Sequence, residues 1–139
     1  MLVLLDSNIL LSALLKAGTP PATIVDQWLE GRFKLLTCQQ QIDEIRIASR
    51  NPKFRERLQP RQVGVLMNHL YNAWVWDKPI PAKHHADDPT DSFFLNLIDA
   101  VQADYKVTGD KRSGLLQIAK LNRTRILTAN SFCLHVLHL

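Results

Sequence analysis

A chain of 139 residues fits one domain over 1–139, and at this length folding buries about two thirds of the unfolded surface, enough for an apolar core without staples. The two cysteines, Cys38 and Cys133, fit no metal-ligand spacing, and no apolar run reaches the length of a signal-peptide core or a membrane span, so a reduced, soluble, cytoplasmic protein is expected. The net charge of +4 is uneven, with Lys and Arg gathered at 46–61 and 106–125 and aspartates at 87–91: a basic surface around an acidic spot, which suits a polyanion but which solvated helix faces would also give.

The first element is an apolar strand, Leu2–Leu5, that stops on Asp6 and Ser7. Ile9 to Leu15 continues as helix, Pro20-Pro21 mark a break, and a second helix runs from Ala22 to Glu30, ended by Gly31. Phe33–Leu36 reads as the second strand, and Thr37 with Gln40 resembles a capping box opening a helix that reaches Ser49 and carries Glu44. Asn51-Pro52 interrupts, a short basic segment follows to Leu58, and Pro60 opens a helix to Tyr71. Ala73–Trp76 is the third strand, and Asp77 to Ala86, with two prolines, two histidines and no periodicity, is a loop.

Pro89 at a first helical position makes Asp88 the cap and puts Asp91 in the first turn, with Phe94, Leu97, Ile98 and Val101 as the buried stripe. A strand at Tyr105–Thr108 ends beside Asp110. A basic turn, a helix from Leu115 to Leu121, a strand at Arg125–Thr128 and a helix from Ser131 complete the chain. Strands alternating with helices imply an α/β fold, a three-layer α/β/α sandwich with a mostly parallel central sheet.

The candidate site is Asp6, Glu44, Asp91 and Asp110: two at strand ends, one inside a helix and one in the first turn of another. In a parallel sheet the carboxyl ends of neighbouring strands share one crevice, so Asp6 and Asp110 are expected to meet. Glu44 is one of three glutamates and lies among Ile42, Ile45 and Ile47. Singly, each acid is explained by a turn, a helix end or solvent. Together they are not, because two carboxylates ~5 Å apart repel by about 3 kcal/mol at an effective dielectric of 20, so a cluster must take up protons or bind a cation. All-oxygen ligands suit Mg2+ or Mn2+ rather than zinc, and such ions serve phosphodiester hydrolysis by activating water and stabilising the charged transition state. His84 and His85 belong to the loop. Trp74 and Trp76 alternate along a strand, so at least one faces the core.

Leu4-Leu5-Asp6-Ser7-Asn8, Ile42-Asp43-Glu44-Ile45, Asp87-Asp88-Pro89-Thr90-Asp91-Ser92-Phe93-Phe94-Leu95 and Ala103-Asp104-Tyr105-Lys106-Val107-Thr108-Gly109-Asp110-Lys111 together resemble the PIN domain. More narrowly, the chain is similar to VapC-like toxin components of prokaryotic toxin–antitoxin systems. The resemblance implies a Mg2+- or Mn2+-dependent ribonuclease, typically a homodimer, held in check by an antitoxin protein. It places the four acidic catalytic and metal-binding positions on Asp6, Glu44, Asp91 and Asp110, with Asn8 and Thr108 in supporting roles that orient carboxylates or water. Many relatives carry a further aspartate after the last motif. This chain has Lys111-Arg112-Ser113-Gly114 there, so one acidic ligand is absent, and Lys111 and Arg112 are candidates for RNA phosphate contacts, with charge balance beside the acids as the plainer account. A haloacid-dehalogenase-like phosphatase fails on Asn8, which stands where its second aspartate belongs, and a phospho-receiver domain lacks its acidic pair. The remaining rival is a non-catalytic PIN-like module that binds RNA or a protein.

Overall fold

The computed structural model describes residues 1–109 and 115–139. Strand β1, Leu2–Leu5, is wholly buried from Val3 onward and passes through Asp6 directly into α1, Ser7–Leu15. Helix α2, Pro20–Leu29, begins on the two prolines that the sequence suggested as a break. Proline lacks only an N–H that a helix start leaves unpaired, and Thr19 Oγ1 accepts from the Ala22 amide at 3.4 Å.

Strand β2, Lys34–Cys38, extends past the expected end at Leu36 because Thr37 and Cys38 pair with Val75 and Trp76 of β3, Trp74–Trp76. The capping-box reading of Thr37 is thereby overturned. Thr37 is a buried strand residue whose hydroxyl donates to Gln41 Oε1 at 2.7 Å, and Cys38 takes the cap position of α3, Gln39–Ser49, without a side-chain bond. A short α4, Pro52–Arg55, and α5, Pro60–Tyr71, lead to β3.

The loop after β3 ends at α6, Pro89–Val101, where Asp88 Oδ1 accepts from the Thr90 amide at 2.7 Å as expected of a cap. Strand β4, Tyr105–Thr108, follows. The helix expected from Leu115 to Leu121 is shorter: α7 covers Leu115–Ile118. Ala119 and Asn122 take left-handed φ of 59° and 52°, and β5, Lys120–Leu121, folds back antiparallel onto β6, Thr124–Thr128. Thr128 Oγ1 caps α8, Ala129–His135, by accepting from the Ser131 amide at 3.1 Å.

The sheet order is β3-β2-β1-β4-β6-β5, parallel from β3 to β6 with β5 antiparallel at the edge. Side chains alternate across it. Val3, Leu5, Leu35 and Val107 pack with Ile9, Ile24, Ile42, Leu66 and Phe132 of the helices on one face. Leu4, Leu36 and Ile126 pack with Phe94, Leu97 and Ile98 of α6 on the other. Helices thus cover both faces, giving the three-layer α/β/α sandwich that the alternation of elements implied. Strand order reverses between β1 and β4, so the crevice that such sheets use for ligands opens beyond Leu5 and Thr108.

Candidate active site

Asp6 sits at that reversal. It occupies the cap position of α1 yet its side chain does not cap the helix. The register that sets Leu5 against Val107 brings Asp6 beside the end of β4, and its carboxylate turns across the strands. Asp6 Oδ2 accepts from Thr108 Oγ1 at 2.9 Å and from the Gly109 amide at 3.3 Å, while Lys106 Nζ forms a close ion pair with Oδ1. Thr108 thus fixes the orientation of the Asp6 carboxylate. Asn8 is exposed and lines the cleft beside it.

Lys106 is the residue that sequence reasoning missed. It is 0% exposed and its ammonium stands 4.6 Å from the centre of the Phe94 ring, so its stem is packed against α6 while its charge meets Asp6. A buried ammonium without a partner is prohibitively costly, and the carboxylate and the ring face supply one. The available signal was the strand itself: a parallel strand covered on both faces has no solvent side, so a lysine in its middle must point at an anion.

Glu44 on α3 reaches the same place. Burial pushes its carboxyl above the usual carboxylate range; hydrogen bonding from Ser7 opposes the rise, the Asp6 charge adds to it, Lys106 opposes it and Asp88 adds again. Glu44 as a whole stays exposed, so the desolvation is partial. Helix α3 is locked to β1 by Gln41, a buried residue whose Nε2 donates to the Leu5 carbonyl at 2.7 Å, one residue before Asp6. Ser7 and Gln41 are thus further site-building residues that the motifs did not reveal.

Among the sequence-predicted acids, Asp6 and Glu44 are brought within electrostatic reach of each other. The start of α6 faces them through Asp88, and Asp91, half-buried, lies in its first turn. Asp110, Lys111 and Arg112 lie outside the described residues. Among the described residues no group of three or more His, Cys, Asp or Glu side chains is arranged to hold a metal ion. The donor chemistry of Asp6 and Glu44 nonetheless fits a hard dication: oxygen ligands, with one carboxyl whose ionised form is held at a cost that a cation would remove. His84 and His85 do not converge on an ion, since His84 Nε2 lies 2.9 Å from Asp99 Oδ2 and His85 is exposed. Trp74 is exposed and Trp76 packs against the α6 side of the core.

A cleft of about 800 Å³ adjoins Asp6, its uncharged wall mixing polar groups of Asn8, Ser12, Thr108, Asn130 and Ser131 with apolar ones such as Ile9 and Pro20. Comparison with curated proteins and with solved structures returns no match. The family model of the PIN domain matches residues 2–112, a span that holds β1 with Asp6, the Glu44 helix, the start of α6 and the β4 end. The chain therefore belongs to the PIN-domain family, a fold of nuclease type.

Proposed function

We propose that this chain is a cytoplasmic Mg2+- or Mn2+-dependent endoribonuclease, the toxin of a toxin–antitoxin pair, acting as a homodimer restrained by an antitoxin protein. The observation that carries the reading is the convergence of Asp6 and Glu44 at the strand-order reversal of a PIN fold, with one carboxyl raised in pKa by burial and by its acidic neighbour. The toxin, antitoxin and dimer parts rest on the motif resemblance.

Asp6, Glu44, Asp91 and Asp110 are the residues that would hold the metal. When bound, it supplies activation of water and neutralisation of phosphate charge. The chain's own groups do the rest. Thr108 and Gly109 hold Asp6 in one orientation, and Gln41 ties α3 to the strand that ends beside it. The hydroxyl and amide groups of the adjoining cleft can take ribose hydroxyls and base edges, which is how single-stranded RNA is read. Lys111 and Arg112 are the candidates for phosphate contacts.

The test is cleavage of single-stranded RNA with Mn2+ or Mg2+ by wild type, Glu44→Gln and Asp110→Asn, together with RNA-end sequencing after controlled expression. Asp6→Asn is the poorer variant, because it also leaves the buried Lys106 ammonium unpaired. Metal-dependent cleavage that both variants lose supports the proposal. RNA binding without cleavage by folded wild type would sink it in favour of a binding module.

A further inference from the structure

We propose that the Lys106 ammonium is a built-in cation of the carboxylate centre, positioning Asp6 and limiting the centre to one divalent ion held weakly. The inference rests on the nuclease reading and adds a capacity for metal that the four acids alone do not predict. A carboxylate has about four lone-pair sites on its two oxygens. On Asp6 three of them face donors: Lys106 Nζ on Oδ1, Thr108 Oγ1 at 2.9 Å and the Gly109 amide at 3.3 Å on Oδ2. Among the described residues one site remains, enough for Asp6 to take a single ion and not to bridge two.

Charge leads to the same conclusion. The ammonium is paired with Asp6, so the charge of that acid is already met in part before any ion arrives. A dication entering there meets a fixed positive charge that cannot swing away. The Lys106 side chain is 1% exposed and packed on Phe94. A flexible surface lysine would step aside for a metal. This one shares Asp6 with it.

The experiment compares Mn2+ binding, by titration calorimetry and by the spectrum of free Mn2+, in wild type, Lys106→Met and Lys106→Gln, with the melting temperature of each at rising Mn2+. Methionine keeps the stem on Phe94 and glutamine keeps a donor, so one of the two serves if the other fails to fold. The expected result is about one ion per wild-type chain and binding roughly tenfold or more tighter in the neutral variants, whose metal-free form melts lower and is raised further by Mn2+ than wild type is. Two ions per wild-type chain, or equal affinity in wild type and variants, overturns the role of Lys106 and leaves the nuclease reading standing. No Mn2+ binding by any of the three overturns the nuclease reading, and this inference with it.

Discussion

Asn96→Ala should loosen the approach to the candidate site without touching any of its acids. Asn96 is buried on α6 and holds the loop between β3 and α6: its Oδ1 accepts from the Lys83 amide at 3.0 Å and the His84 amide at 2.7 Å, and its Nδ2 donates to the His84 carbonyl at 3.2 Å. Three hydrogen bonds at about 0.5–1.5 kcal/mol each bound the loss, and the exposed loop lets water recover part of it, leaving about 2 kcal/mol. For a domain of this size that is a fall in melting temperature of about 6–10 °C. Asn96→Asp keeps both acceptor bonds and loses the donor, so its melt should fall between the two. Amide exchange reports the cause directly, since the His84 N–H loses its side-chain acceptor in the alanine variant and should exchange much faster. An alanine variant that melts within about 1 °C of wild type, or a His84 amide that stays as protected, would refute the view that this side chain anchors the loop.

Other perturbations follow from the same geometry. Glu44→Gln should stabilise the metal-free protein near neutral pH: an acid with a raised folded pKa destabilises above its unfolded value, so the gain is absent in acid and grows as pH rises through the ordinary glutamate range and the raised folded value, as melts across pH with chelator would show. Mn2+ should then reverse the order, and a glutamine variant less stable than wild type at pH 7.5 in chelator contradicts this. At Asp104 burial pushes the carboxyl up, but the Leu2 amide at 2.7 Å and Arg123 outweigh it and lower the pKa. Its stabilising effect is therefore present above the ordinary aspartate value and lost as pH falls through the folded one; the difference between wild type and Asp104→Asn should shrink below pH ~4, and a difference constant to pH ~2 rules the linkage out. Phe132→Ala should cost about 3–5 kcal/mol, since the ring is fully buried and meets Phe33 at 5.7 Å and Tyr105 at 5.6 Å edge-on; denaturant unfolding measures it, and a loss under about 1 kcal/mol would mean the site collapses to fill the space.

Local chemistry made much of the fold legible. Asp88 before Pro89, the apolar run at Leu2–Leu5 and the helix opening at Pro60 each act over a few residues, and each stands where the sequence put it. What the sequence hid depends on contacts between distant segments. Thr37 looked like a cap because a hydroxyl three residues before a glutamine fits that pattern, but pairing with Val75 kept it in the strand. The glutamine run 39–41 reads as uniformly polar, yet only Gln41 is buried, because the Leu5 carbonyl needs a donor there. The fold-back at Lys120–Leu121 turns on two left-handed residues, Ala119 inside what scans as helix and Asn122 just beyond it.

Lys106 carries the same lesson into the site. In the sequence the acids are the visible chemistry, and repulsion among carboxylates creates a demand for protons or a cation. In the folded chain part of it is met from within: the strand that ends beside the acids contributes an ammonium from its own middle, placed by a register of Leu5 against Val107 that no local pattern encodes. The net charge of the site is therefore a property of strand pairing as much as of its acidic motifs. A lysine at this one inward position pairs with Asp6 without altering any of the four acids by which the site is recognised.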